Sequence, residues 1–209
     1  MNIYDAIIKL AGTFDLDPED CQSFAAMDTI GGFHADPALR RWDTGSIWQV
    51  EGQVLYALIR ATQPHFIVNL GVYQGCSLAH MMAAINTIQV DDPKYKPTVI
   101  GVDLYRPQSI PDGVKFLGMD ALEYVEQQMP TGKVDLLFED LYHGVDSTRR
   151  VWMAAREKVK KGGFVISHDA AHFLVGTDVR LGILASGVLD PLILAIEPSD
   201  CGLAVWRKP

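Results

Sequence analysis

The sequence predicts an α/β fold: an open, seven-stranded, mostly parallel sheet whose last strand is antiparallel, with helices on both faces and an N-terminal helical extension. Three observations predict it. From residue 66 onward, short β-branched runs alternate with helical stretches, the pattern of parallel strands joined by crossover helices. The first run, Phe66 to Leu70, ends in Gly71 and Gly75 and leads straight into an apolar helix. The last two runs, 191–196 and 202–207, are separated only by a turn at Pro198-Ser199-Asp200. So short a connection makes an antiparallel pair, since parallel neighbours need a long crossover.

The elements follow in order. Asp5 to Phe14 is an amphipathic helix, with Ile7, Ile8, Leu10 and Ala11 near helical period. Pro18-Glu19-Asp20 opens a second helix, because proline suits a first turn and acids favour its N-terminus. Gly31-Gly32, Pro37 and Gly45 break the chain into a loop. Ser46 to Ala61 is a third helix, with Ile47, Val50, Val54, Leu55 and Leu58 on one side, and Gln63-Pro64 ends it. Strands are predicted at 66–70, 98–102, 114–117, 134–139 and 163–168, with helices at 76–88, 119–128 and 147–159 between them. A last helix, 177–187, precedes the closing pair. The whole is read as one domain, with 1–62 an N-terminal helical lid or extension and 63–209 the ligand-binding core.

Composition narrows the function. At 209 residues the chain can bury a full core, and 48% apolar with 21% charged residues is ordinary for a water-facing globular protein. No apolar run reaches the roughly 18–20 residues of a membrane helix. The N-terminus lacks the pattern of a signal peptide. Cys21, Cys76 and Cys201 are odd in number and lack C-x-x-C spacing, so reduced thiols and a cytoplasmic location are expected. A net charge of −8 argues against a nucleic-acid partner, whose phosphates call for Lys and Arg. Lys158, Lys160 and Lys161 form the one basic cluster and are read as dipole compensation at a helix end.

Ligands of an open α/β sheet bind beyond the carboxyl ends of its strands. At the first strand, Gly71 and Gly75 let backbone approach a ligand closely, and the following helix start attracts an anionic group. At the second, Asp103 is placed to accept ribose hydroxyls. Together they describe a pocket for a nucleoside-containing cofactor. The spacing is G-x-x-x-G, not the G-x-G-x-x-G of a dinucleotide site, and no Walker sequence is present. NAD and nucleotide-sugar readings are therefore disfavoured.

The segment from Phe66 to Ser77 resembles motif I of the class I S-adenosylmethionine-dependent methyltransferases. It is most similar to the catechol O-methyltransferase-like and macrocin O-methyltransferase-like branches (methyltransferase family 24), whose loop reads G-x-x-x-G-x-S. The resemblance runs on for about a hundred residues through Asp103, the Gly118-Met119-Asp120-Ala121 segment, Asp135 to His143, and Lys160 to Asp169. It implies a Rossmann-like fold and S-adenosyl-L-methionine as cofactor. It further implies cofactor contacts from Asn69, Gly71, Tyr73, Gly75, Ser77, Asp103, Met119, Asp120 and Asp140. Asn69 departs from the family's usual acid there. Asp120 is equally a helix cap by its type and place, and Ser46 and Gln49 either close over the cofactor or form a solvated helix face.

By the same carry-over, Asp140, His168 and Asp169 are the positions of a divalent-cation site, for Mg, Mn or Fe. Imidazole at 168 favours Mn²⁺ or Fe²⁺ over Mg²⁺, and the set is also compatible with metal-free chemistry. His172 lies within reach of the same rim. His143, or His168, has the pKa range of a base for a hydroxyl. Tyr142, Trp42, Trp48, Phe33 and Phe173 either wall the acceptor or pack elsewhere, while Trp152 and Trp206 are expected in the core. The function implied is O-methylation of a small-molecule acceptor, possible as a homodimer through the apolar N-terminal helices. The alternatives are metal-independent N- or C-methylation and a non-catalytic cofactor-binding subunit.

Overall fold

The structure is a computed structural model and describes residues 1–17, 47–107 and 109–209. The second helix and the glycine-rich loop expected after Asp17, together with Cys21, Phe33, Trp42 and Ser46, lie outside the described residues.

The described chain runs α1 (Ile3–Phe14), α2 (Gln49–Thr62), β1 (Phe66–Leu70), α3 (Cys76–Asp91), β2 (Thr98–Asp103) and β3 (Val114–Gly118). Next come a helical turn α4 (Ala121–Glu123), β4 (Val134–Glu139), α5 (Val145–Lys158), β5 (Val159–Ser167), α6 (Gly176–Ala185), β6 (Leu192–Leu194) and β7 (Leu203–Arg207). The seven strands form one sheet in the order β3-β2-β1-β4-β5-β7-β6. β1 pairs in parallel with both β2 and β4, and β7 runs antiparallel to β5 and β6. The sequence therefore predicts the sheet and its one reversed strand correctly.

One face of the sheet is covered by α1, α2 and α3. Ile7, Leu10, Leu55, Leu58 and Met81 there are all but inaccessible to solvent. The other face carries α4, α5 and α6 around Trp152, Val151 and Val179. Strand residues alternate between these two layers, as period-two geometry demands: Ile67 packs with the first and Val68 with the second.

Four local features differ from the sequence reading. The stretch 119–128 is a single α-turn that widens into a π-helical turn over Tyr124–Gln128. β5 begins at Val159, not 163, because Val159 pairs with Val134 before a register shift carries Phe164 opposite Leu136. Gly162 sits at φ +78° at that irregularity. Consequently Lys160 does not serve a helix end; its ammonium pairs with the buried carboxylate of Asp135, which also accepts the Phe66 N–H at 2.7 Å. Trp152 is fully buried, whereas Trp206 packs 6.3 Å from it while remaining half-buried.

Candidate active site

The tips of β1, β2 and β4 diverge around a cavity of about 490 Å³. Gly71, Tyr73, Asp103, Asp120, Asp140 and His143 line it, with Leu104, Leu141 and Tyr142 at its apolar parts.

The glycine loop makes this cavity possible. Gly71 has φ +81°, and a Cβ there would lie 2.0 Å from the Asp140 carbonyl oxygen. The β1 and β4 tips are thus in direct backbone contact, which only glycine allows. Gly75, also left-handed at φ +89°, starts α3. Between them Tyr73 takes φ +47° and stands half-exposed at the cavity wall. Asp103 holds this loop: its Oδ2 accepts the N–H groups of Val72 and Tyr73, both at 2.8 Å, and its Oδ1 accepts that of Tyr105 at 3.2 Å. The carboxylate therefore lines the cavity and shapes the loop at once.

Asn69 is fully buried and donates from Nδ2 to the Ser77 hydroxyl at 2.8 Å, while its Oδ1 is buried without a hydrogen-bond partner. Asp120 lines the cavity and caps α4, accepting the Glu123 N–H at 2.9 Å. Met119 is half-buried beside it, its N–H bonded to the Asp103 carbonyl at 3.0 Å. Gln49 does not line the cavity.

At one end of the cavity, residues after β4 and β5 converge. Asp140 Oδ1 lies 3.1 Å from His168 Nδ1 and 3.3 Å from His143 Nε2. Asp169 Oδ2 lies 3.3 Å from the same His168 nitrogen and 3.2 Å from the same His143 nitrogen. One ligand atom from each of the four residues lies within 4.8 Å of every other. The residues predicted for a cation, Asp140, His168 and Asp169, are brought together, and His143 joins them as a fourth. Although near two carboxylates, His143 Nε2 makes no aligned hydrogen bond.

The electrostatics follow from this packing. For His143, burial pulls the pKa down but is outweighed by the Asp140 contact and the Asp169 charge, so the net direction is up. His168 moves further up: its burial is overcome by Asp140 and Asp169. The carboxyls respond inversely. Burial, which raises Asp140 and Asp169, is overcome by the two imidazoles, and both end below the usual carboxylate range. Beneath them the fully buried Glu139 is pushed up by desolvation, and the Ser167 hydroxyl donates to it. Burial likewise raises the nearby Cys201 to about 12, so it is a thiol and not a reactive thiolate.

His172 is close to the rim, but its Nδ1 already accepts the N–H groups of Leu174 and Val175 at 3.2 and 3.4 Å. Tyr142, which lines the cavity, is 86% exposed; Phe173 is 75% exposed and packs beside His172 instead. One residue in contact with the rim was not expected: Glu51 of α2, fully buried, with Oε2 2.8 Å from His168 Nε2. The signal was present, for Glu51 interrupts the apolar stripe of Ile47, Val54, Leu55 and Leu58. A charge on a buried stripe requires a partner.

This strand order, with a glycine-bounded cavity at the β1 and β2 tips and an acid closing each of β2 and β4, is that of a class I methyltransferase domain. Residues 68–170 match the family model described as a methyltransferase domain, the family 24 type. No curated protein matches the sequence. Among solved structures it is similar to the O-methyltransferase TomG from Streptomyces achromogenes, solved with S-adenosylmethionine: 16% identity, 88% of this chain and 91% of that one, TM-score 0.61. It is similar too to the Podospora anserina methyltransferase PaMTH1, solved with S-adenosylhomocysteine: 14% identity, 88% and 89% coverage, TM-score 0.60. A methyltransferase from Geobacter sulfurreducens matches at 19% identity, 88% and 90% coverage and TM-score 0.59. At these identities the likeness carries the fold. No helix among the described residues is long and apolar enough to cross a membrane.

Proposed function

We propose that this methyltransferase transfers a methyl group to the hydroxyl of a small-molecule acceptor, with a divalent cation held at the rim of the donor cavity. The observation that carries this reading is the convergence of Asp140, Asp169, His143 and His168 on one point at the cavity's edge. Their neighbouring ligand atoms are 3.1–3.3 Å apart. That matches the edges of a coordination shell of about 2.1 Å radius, roughly 3.0 Å in an octahedron and 3.4 Å in a tetrahedron. His143 Nε2, buried beside these carboxylates with no aligned hydrogen bond, is left to take a proton from an acceptor hydroxyl.

When bound, the donor supplies an electrophilic sulfonium methyl and the ion a Lewis acid that lowers the acceptor hydroxyl's pKa. The chain's own residues do the rest. Asp103 and Asp120 offer carboxylate oxygens to the ribose hydroxyls and the adenine amine, and the Met119 backbone supports the ring. Asn69 Oδ1 is the free acceptor for the ammonium end, Ser77 serves the carboxylate end, and Gly71, Tyr73 and Gly75 form the wall between. Asp140, Asp169 and His168 hold the cation. The base is His143, which lines the cavity. His168 is 2% exposed with both ring nitrogens engaged, so it acts as ligand and not as base. Positioning the two reactants and excluding water contributes roughly 7–11 kcal/mol to the barrier reduction.

The test combines calorimetry with S-adenosylhomocysteine and a radiolabelled methyl-transfer assay on hydroxylated acceptors, with and without Mn²⁺ or Fe²⁺. His143→Ala should lower turnover about 10²–10⁴-fold with product affinity nearly intact. Equal loss of both, or cation-independent turnover in Asp169→Asn, would overturn the assignment.

A further inference from the structure

We infer that Glu51 is a positioning residue: it holds His168 as the Nε2–H tautomer, so that the Nδ1 lone pair faces a divalent cation between Asp140 and Asp169. The inference rests on the cation reading of the rim and extends it to a residue on a different part of the chain.

Glu51 lies 117 positions from His168 in sequence, and both are almost wholly buried. A buried carboxylate is costly unless its lone pairs are filled. Those of Glu51 are. Oε1 accepts the Ser199 hydroxyl and the Gly202 N–H, both at 2.6 Å; Oε2 accepts the Trp48 N–H at 3.0 Å and faces His168 Nε2 at 2.8 Å. Three of these donors come from α2 and the β6–β7 connection, so the carboxylate is immobilised independently of the histidine. An ionised carboxylate is acceptor-only. With its other donors fixed, Glu51 requires a proton on Nε2, and the nitrogen facing Asp140 and Asp169 at 3.1 and 3.3 Å is Nδ1.

This is the arrangement by which metal-ligating histidines are oriented and made more basic: the distal N–H is donated to a carboxylate, and loss of that partner weakens metal affinity about 10–100-fold. An imidazole so presented, beside His143, suits Mn²⁺, Fe²⁺, Co²⁺ or Zn²⁺ better than Mg²⁺. Glu51 thus ties the N-terminal helix layer to the rim of the site.

The experiment uses the full chain and Co²⁺ as probe, with affinity read by competition against a chromophoric chelator. A second measurement, two-bond proton–nitrogen NMR of the histidines with Zn²⁺ bound, reads the tautomer in the wild type. Glu51→Gln leaves one oxygen where two accepted, and should weaken Co²⁺ binding about 10–100-fold while S-adenosylhomocysteine still binds. In the Zn²⁺-loaded wild type, His168 should carry its proton on Nε2. If Glu51→Gln binds Co²⁺ as tightly as the wild type while Asp169→Asn does not, the role of Glu51 is refuted and the cation site stands. If His168 is protonated on Nδ1 in the loaded wild type, the inference fails even where the variant does not fold. If the wild type binds neither ion, the cation reading itself falls, and this inference with it.

Discussion

Replacing Gly71 with alanine tests the contact on which the cavity depends. Two costs can be separated. The first is backbone strain, since an L-residue held at φ +81° loses about 1–2 kcal/mol. The second is collision: the new Cβ would sit 2.0 Å from the Asp140 carbonyl oxygen and 2.7 Å from its carbon, where ordinary contacts begin near 3.4 Å. Neither atom is the end of a flexible side chain. The β4 tip must retreat by more than 1 Å, although the Asp140 N–H is tied to the Leu70 carbonyl at 2.9 Å. Overpacking of this kind costs a further 1–3 kcal/mol or so. Gly132 supplies the control, for it has φ +66° and nothing within 4 Å of its Cβ position. Gly132→Ala should therefore show strain alone, a melting shift of about 2–8 °C for a chain of this size, and Gly71→Ala about 4–20 °C. Urea denaturation and calorimetry with S-adenosylhomocysteine give the comparison. Gly71→Ala should also weaken product binding by tenfold or more, on the order of what a 1 Å misplacement of binding groups costs, with Gly132→Ala unchanged. Equal stability and equal affinity in the two variants would refute the close approach of β1 and β4.

Three further outcomes follow from the same geometry. Asp103→Ala leaves the Val72 and Tyr73 N–H groups without their 2.8 Å acceptor; stability should fall by about 1–3 kcal/mol and product affinity with it, and unchanged urea midpoint would contradict the anchoring role. Trp152→Phe removes the indole N–H that donates to Ser167 Oγ at 2.7 Å above the buried Glu139; a loss of about 1–3 kcal/mol is expected in chemical denaturation, and none would mean that the network contributes nothing. In chelator, stability should peak between roughly pH 4 and 6.5. His143 and His168 are raised above their ordinary 6.5, so their contribution is complete below that value and is lost as pH rises through the raised ones. Asp140 and Asp169 lie below 3.8, so theirs is present above 3.8 and lost on further acidification. Glu139, raised by burial, also favours the acidic side. A melting temperature that stays flat from pH 5.5 to 9 without metal would count against the imidazole–carboxylate cluster.

The sheet was legible because its signals are local. Alternating β and helical runs, two glycines after β1 and a short last connection need no knowledge of tertiary contacts, and six parallel-running strands with one reversed strand result. The start of β5 was not legible, because its first residue is set by pairing with Val134 across a register shift. Nor was the π-turn at Tyr124, where helical periodicity alone cannot separate a four-residue from a five-residue step.

The site divides along the same line. Residues at strand ends, Asp103, Asp140, His143, His168 and Asp169, were identifiable one by one, since a strand's end fixes where its next residues lie. Their pairings were not, because each nitrogen's partner depends on residues brought from elsewhere in the chain. Glu51 shows why this matters. It belongs by sequence to the N-terminal helices, which read as a lid or extension, yet its carboxylate meets His168 from inside the core layer formed by α2 and α3. A helix with Val54, Leu55 and Leu58 at 0% exposure cannot swing away without exposing that layer to water. Any opening that admits an acceptor must therefore occur outside α2, leaving the Glu51–His168 contact in place.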